Sequence, residues 1–387
     1  MRQLDFLFFG SAEASHRYPR TQQVMARLGE LGYEVHSALR TDAASSRQRV
    51  GAFRSLSGLA LVAIDTVRGW SRSIAFALRT RPSHLWVAYP GLLDLLVALP
   101  VSRLLGATVI YDAMICVTQT VVDDRALIPQ GSWRHRLLRW LEATLLGRAA
   151  LVVTDTPTNR DYLLKTFDLP PSKVAVVPIA INEQSWCAHP LPPQSLPMRV
   201  AFWGTFVPLQ GAPVIAEAIN RIARECTDQV QFVIIGDGQD GDRFAAELDA
   251  HGRAITQWTR SLISEPELAE TVRSAHLCLG IFGASDKAHS VVPYKLVQAL
   301  ATGRPVITMA SPEADQLSPS GALTCVAAND SDALALAIRK WTANMTDLAA
   351  TGAAARLIYD ERYSITAQRR HLRSALDMLC ANTRTKI

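Results

Sequence analysis

Lys287 and Lys295 fall within the stretch DKAHSVVPYKLVQALATGRPVI (286–307), and they are two of six lysines in a chain with 40 basic residues. The stretch reads as a loop, a helix and a stop. Pro293 suits the first helical turn and Gly303 the C-terminal exit. A lysine at a helix N-terminus is poorly placed for helix stability, because the macrodipole favours acids there. It is well placed to add its charge to a site that already attracts anions. The chemistry suggested is the binding of a phosphate or carboxylate group by Lys295, with Lys287 in the preceding loop. Two exposed lysines without function give the same spacing.

Two further stretches have the form of strand ends that meet a ligand. FWGTFVPLQG (202–211) runs from a strand through Gly204 and Gly211 towards a helix. IIGDGQDGD (234–242) is similar, with Gly236, Asp237 and Gly238. Its Asp240 and Asp242 invite a metal reading, but Asp and Gly clusters are ordinary turn formers, and that reading is set aside. No G-x-x-x-x-G-K-[ST] is present. GSAEASHRYPR (10–20), after the first predicted strand, lacks the G-x-G-x-x-G turn, which disfavours a nicotinamide enzyme.

The elements that must hold these residues follow from the hydrophobic pattern. Short β-branched or aromatic runs alternate with amphipathic stretches. LDFLFF (4–9), YEVHSAL (33–39), HLWVAY (84–89), TVIYDA (108–113), LVVTDT (151–156) and KVAVVPI (173–179) read as strands. Residues 21–32 read as a helix with Met25, Leu28 and Leu31 on one face. Such alternation predicts a parallel sheet with helices on both faces. NEQSWCAHPLPPQSLPM (182–198) breaks the pattern with four prolines and reads as an interdomain connection. MRVAFWG (198–204), VQFVIIG (230–236), LCLGIFG (277–283) and RPVITMA (304–310) then resume it. A periodic helix over 360–381 closes the chain. The expected fold class is α/β, with two Rossmann-like, doubly wound domains. The expected bounds are 1–185 for the first domain, 186–197 for a linker, 198–358 for the second domain and 359–387 for a helix crossing back. Open α/β sheets bind ligands beyond the carboxyl ends of their strands, where these motifs lie. Two facing domains also make a cleft.

The totals agree. A chain of 387 residues, 49% hydrophobic and 19% charged, has room for two real cores. Net charge is +5, concentrated in the first half: residues 1–185 carry 21 Lys and Arg against 15 Asp and Glu, and the remainder 19 against 20. A basic half suits an anionic substrate or an anionic membrane, and equally an arginine-rich solvated surface. VRGWSRSIAFALRTR (67–81) mixes Trp70, Phe76 and Leu78 with four arginines, as an interfacial helix does. A helix covering a sheet is the preferred reading. The six cysteines lie far apart with no C-x-x-C, which argues against a disulfide framework or a zinc site and fits a reducing cytoplasm. MRQLDFLFFGSAEAS imitates a signal peptide but reads better as a first buried strand. GLLDLLVALPVSRLLGATVI is interrupted by Asp94, Pro100 and Arg103, so no membrane span is expected.

FWGTFVPLQG, IIGDG, LCLGIFGASDKAHSVVPYKLVQALATGRPVIT and SPEADQL resemble, in order and spacing, the C-terminal domain of family-4 (group 1) glycosyltransferases. These are retaining enzymes with the two-domain GT-B fold. YPRTQQVMARLGELGYEV, VAYPGLLD, YDAMICVTQTVVDDR and LVVTDTPTNRDYLLKTF resemble the partner domain less specifically. The resemblance spans nearly the whole chain. It implies a nucleotide-sugar donor in the C-terminal domain and an acceptor mainly in the N-terminal one. By this resemblance Gly204, Thr205, Gln210 and Gly211 line the diphosphate, and Lys295 neutralises it with Lys287 beside it. Gly236, Asp237 and Gly238 sit near the nucleoside, Trp258 and Thr259 flank the base, and Val292, Pro293 and Gln298 complete the donor side. The chain departs from the family pattern in three respects. Ser290 and Gln298 stand where a spaced pair of Glu is frequent, and the second of that pair usually holds the ribose hydroxyls. A neutral Gln298 gives up about 1–2 kcal/mol against a charge-assisted bond. Uncharged residues, with Gln210 before Gly211, replace the usual Arg and Lys of the first loop. Gln316 stands where Glu is common.

The resemblance implies catalysis by assisted departure of the nucleoside diphosphate. Lys295 and the helix N-terminus stabilise the growing charge. Asp112, at the end of a predicted strand, is the candidate for orienting or deprotonating the acceptor, with a loop-capping Asp as the alternative. Tyr18, Pro19 and Arg20 shape the acceptor side. Asp124 and Arg125 form a pair on the cleft or on the surface. His16 and His289 receive no role. No cofactor, metal or nucleic acid is expected. The expected enzyme is a cytoplasmic hexosyltransferase, with peripheral contact at the inner face of the membrane as an option. Its acceptor is a glycan, a lipid-linked sugar or a small molecule. The rival is a non-catalytic GT-B-like nucleotide-binding or scaffold protein with a partly decayed donor site; a GT-B-like epimerase or phosphorylase is more distant.

Overall fold

Apolar runs such as Phe6–Phe9 and Leu151–Val153 have no polar face to show to water, and they become strands buried on both sides. The computed structural model describes residues 5–12, 14, 19–40, 56–114, 116–124, 127–225, 228–261 and 263–384. Strands β1 (Asp5–Phe9), β2 (Glu34–Ser37), β3 (His84–Val87), β4 (Thr108–Asp112), β5 (Leu151–Thr154) and β6 (Val174–Val176) form one sheet in the order β2-β1-β3-β4-β5-β6. Every pairing in it is parallel. Alternate side chains go to opposite faces. Leu7, Phe9, Leu85, Val87 and Tyr111 enter a core under the helices Leu56–Thr80, Leu95–Leu105, Trp133–Arg148 and Pro157–Phe167. Phe6, Phe8, Trp86 and Ile110 enter the opposite core, with Leu28 of the helix Pro19–Glu30 and Leu372 and Leu376 of the helix Ile365–Arg384.

Strands β7 (Met198–Gly204), β8 (Val230–Gly236), β9 (Thr256–Thr259), β10 (Leu277–Leu279), β11 (Val306–Met309) and β12 (Leu323–Val326) form a second parallel sheet, ordered β12-β11-β10-β7-β8-β9. This is the Rossmann order, and the direction of winding reverses between β7 and β10. Phe202, Phe232 and Ile307 pack with Ile215 and Ile219 of the helix Ala212–Glu225 and Ile338 of the helix Ser331–Ala343. Each such side chain contributes roughly 1.5–3 kcal/mol by leaving water. Several helices start where the chain supplies a cap. Thr156, Ser264, Ser311 and Asp330 each accept a hydrogen bond from the backbone N–H three residues on.

The chain divides into two compact units, Met1–Ile179 with Gln368–Ile387, and Ala180–Ala367. These bounds differ from those expected at 185 and 359, for identifiable reasons. The proline-rich stretch 186–197 is not a free linker. Trp186 is fully buried, stacks on Trp203 with ring centroids 6.4 Å apart, and donates its indole N–H to Glu265 at 2.8 Å. The buried Arg304 guanidinium donates to the carbonyls of His189 and Pro190, each at 2.9 Å. An irregular segment has no ladder to satisfy its carbonyls, and a buried guanidinium does so instead. At the far end, Tyr359 is buried and donates to Glu183 at 2.9 Å, which keeps 359–367 with the second unit. The last helix starts only at Ile365, after Ser364.

Candidate active site

The loops after β7 and β10 flank the point where the second sheet reverses. The close packing of the β7 loop on the loop after β8 depends on absent side chains. Gly236 ends β8 with φ +118°, and a Cβ there would lie 1.9 Å from the Gly204 carbonyl oxygen. A Cβ on Gly238 would lie 1.8 Å from the Thr205 oxygen. The β7 and β8 loops therefore meet backbone to backbone. Gly236→Ala is expected to cost about 2–5 kcal/mol, from strain and overpacking together. A urea midpoint equal to wild type would contradict this.

Above this junction the helix Tyr294–Ala301 begins after Pro293, whose ψ of 146° is extended. Pro293 thus stands just before the helix and not in its first turn. Lys295 follows and is only 5% exposed. Its Nζ donates to Gln210 Oε1 at 3.1 Å and lies 3.8 Å from the centroid of the Phe202 ring. Burial holds this ammonium well below the ordinary lysine range. An amide oxygen and a ring face supply partial charge only, and among the described residues no carboxylate forms a salt bridge with this ammonium. Gln210 in turn lies against Gly204, where a Cβ would come within 2.3 Å of its Oε1. Gly211 follows at φ +67°, against the backbone of Phe282 and Gly283. Lys287 is not in a loop. It belongs to the short helix Asp286–Ser290, started by Ser285, which packs on the turn Pro208–Gln210. At 7% exposure it is buried as well, so neither lysine is a solvated surface residue.

The remaining donor-side residues fall into two groups. Gln298 accepts the Trp203 indole N–H at 2.8 Å, which aims its amide at β7. Val292 is buried beside Pro293. On the β8–β9 side, Trp258 is half-buried, donates to the Gly236 carbonyl at 2.9 Å and lies parallel to Phe206 at 6.1 Å. It braces the β8 loop from the core, while Thr259 beside it is exposed. Asp237 is chelated by Arg260 at 2.8 and 3.2 Å, and Arg260 also reaches Asp242 at 3.0 Å and covers the Trp258 ring. The Arg260 hydrogen bonds hold the Asp237 carboxyl below its usual range. Nothing in the pattern of β9 marks Arg260, and the sequence reading missed it.

In the first unit Asp112, the candidate for orienting or deprotonating the acceptor, lies in a buried ion pair. It is 1% exposed, and Arg20 Nε lies 3.0 and 2.8 Å from its two oxygens. Arg20 also donates to the Val177 carbonyl at 2.8 Å. The pair fastens the helix Pro19–Glu30, which Pro19 opens, to β4 and to the chain after β6. A carboxylate engaged on both oxygens by a buried guanidinium is poorly disposed to take an acceptor's proton. Asp155 directly follows β5, and its place at the end of LVVTDT is the sequence signal for it. It accepts from Asn159 at 2.7 Å, and burial pushes its carboxyl up to about 6. Asp94, in sequence a charge that interrupts an apolar run, has a structural role. It accepts the Ser11 N–H and hydroxyl, both at 2.9 Å, and the Trp70 indole at 2.6 Å, and so pins the loop after β1. Tyr18, His16 and Arg125 lie outside the described residues, as does the side chain of Asp124.

A doubly wound sheet in Rossmann order, closed at its strand ends by glycine, in a chain that also holds a first parallel sheet of its own, is the architecture of the GT-B class. Residues 197–344 match the family model for glycosyl transferases group 1, and residues 19–180 match that for the glycosyl transferase 4-like domain. The chain belongs to the group 1 glycosyltransferases. No curated protein sequence matches it. Solved structures do. Sucrose-phosphate synthase from Thermosynechococcus elongatus is 16% identical, with a TM-score of 0.71 over 98% of this chain and 100% of that one. A glycosyltransferase from Rickettsia africae is 13% identical, with a TM-score of 0.67 over 98% and 99%. HepE from Anabaena, solved with UDP-glucose, is 14% identical, with a TM-score of 0.65 over 97% and 99%. At these identities the likeness concerns the fold.

Proposed function

We propose that this glycosyltransferase moves a hexose-type sugar from a nucleoside-diphosphate sugar to a glycan, a lipid-linked sugar or a small-molecule acceptor, with retention at the anomeric carbon. The observation that carries the donor class is Lys295. A buried ammonium above a switch point, without a carboxylate among its hydrogen bonds and ring contacts, suits a ligand that brings two phosphates. As the anomeric C–O bond breaks, negative charge grows on the departing diphosphate. The ammonium and the helix N–H groups are already oriented towards it, so little reorganisation is needed. The acceptor oxygen forms the new bond to the anomeric carbon and gives its proton to the departing diphosphate oxygen. Retention rests on the family resemblance. HepE, solved with UDP and with UDP-glucose, makes UDP the first nucleotide to try. Lysine and backbone dipoles carry the charge neutralisation in this proposal, and transfer proceeds without a metal. The rival reading, a binding protein with a decayed site, is favoured only by Gln298 and the uncharged Gln210 loop.

Thermal shift against UDP, GDP, dTDP, ADP and CMP, with and without magnesium, tests the proposal. At a hundredfold excess over Kd a ligand adds about 2.7 kcal/mol, or roughly 5–10 °C for units of this size. A shift with one nucleoside diphosphate names the donor class. No shift with any nucleotide overturns it.

A further inference from the structure

Eleven of the fourteen large hydrophobic side chains exposed among the described residues lie between Leu61 and Trp140. All but Leu127 sit on, or within two residues of, three neighbouring helices on one face of the first sheet, Leu56–Thr80, Leu95–Leu105 and Trp133–Arg148. On the first helix Ser73 and Ala77 are buried against the sheet, while Ile64, Val67 and Leu78 point outward at helical spacing, with Arg68, Arg72 and Arg79 beside them. Leu93, Leu96 and Leu104 repeat the arrangement around Arg103. On the third helix Trp133 is 65% exposed and Trp140 62%, and they share the surface with Leu137, Arg134 and Arg136. No exposed carboxylate answers this charge among the described residues of the three helices. Asp65 is paired with Arg40 at 2.7 Å, and Glu142 is buried.

We infer that this face docks on an anionic lipid surface. Exposed leucines and tryptophans gathered on adjacent helices are unusual on a surface that meets only water. Leucines and tryptophans flanked by arginines on helices lying side by side suit an acyl boundary beneath anionic headgroups, with the arginine stems reaching back to the phosphates. A protein partner would have to bring carboxylates to many separated arginines, whereas a planar anionic surface meets them all. No described helix is long and apolar enough to cross a membrane, so the contact is peripheral. An acceptor embedded in the same lipid is then the class the enzyme meets. That last step rests on the transferase reading; the docking does not.

The test is flotation of the full chain with vesicles of phosphatidylglycerol and phosphatidylcholine against phosphatidylcholine alone. Expected is binding to the anionic vesicles at low salt, with a blue shift of tryptophan emission. Arg68→Gln, Arg72→Gln, Arg134→Gln and Arg136→Gln combined should weaken binding by about 10²–10³-fold. Trp133→Ser with Trp140→Ser should remove the blue shift. These side chains are exposed, so melting temperature and nucleotide response should stay at wild type, which separates failure of docking from failure of the donor reading. Absence of vesicle binding, or binding that both variants retain, overturns the inference. So does a change in oligomeric mass without lipid, which would make the face a protein interface.

Discussion

Lys295→Met is expected to raise the melting temperature of the ligand-free enzyme, to abolish its response to nucleoside diphosphate and to lower kcat by about 10²–10³-fold. The two opposed effects have one cause. In the unfolded chain the lysine is solvated and titrates near its ordinary value of about 10.4. In the fold, burial depresses that value. Between the two values the unfolded chain holds more protons than the native one, so stability rises with pH across that window. Below it the desolvation cost is fully present. Methionine fills similar space without charge and should stabilise by about 1–3 kcal/mol, with the slope in pH removed. An incoming diphosphate brings negative charge and lifts the lysine's value. Binding above the free value therefore takes up a proton, and affinity should fall by up to about tenfold per pH unit there. Calorimetry in buffers of different ionisation enthalpy reads this uptake directly. A methionine variant that binds UDP as tightly as the parent would sink the site assignment.

Arg20→Met should destabilise the first unit by about 3–5 kcal/mol, because it leaves the buried Asp112 carboxylate without its cation. Arg20→Met combined with Asp112→Leu should recover most of the loss, since an apolar pair of similar volume often replaces a buried ion pair at little cost. Asp155 gives the effect a pH signature. Its carboxyl is pushed up to about 6, so between its unfolded value and about 6 the native state holds more protons, and its contribution to stability falls as pH rises. Arg20 is the cation that opposes this shift. Without it the value climbs further, and the loss should be larger above pH 6 than below. Urea unfolding on either side of pH 6 measures the difference. A cost within about 0.5 kcal/mol, the size of an ordinary surface change, would mean that the cluster is not structural, and Asp112 would again be open to a role with the acceptor.

The alternation of short apolar runs with amphipathic stretches was enough to read two parallel sheets, because side-chain period and burial are local properties of each segment. The glycine turns after β7 and β8 and the entry to the Lys295 helix were legible for the same reason: glycine and proline act on their own backbone. Pairings across long stretches of chain were not. Arg20 meets Asp112 across 92 positions, and Gln210 meets Lys295 across 85. Arg304 collects the carbonyls of His189 and Pro190 from 115 and 114 positions away. No local pattern encodes such partners, so in sequence the connecting segment reads as a linker, and Asp112 reads equally as a group that orients or deprotonates an acceptor and as a loop cap. The helix Leu56–Thr80 shows the remaining ambiguity. Its residues are apolar on both its inner and outer sides, and periodicity alone does not say which stripe the sheet takes. The tertiary structure decides it, because only the side with small residues, Gly69, Ser73 and Ala77, lets the helix approach the backbone of Gly10 and Ser11 closely enough to pack.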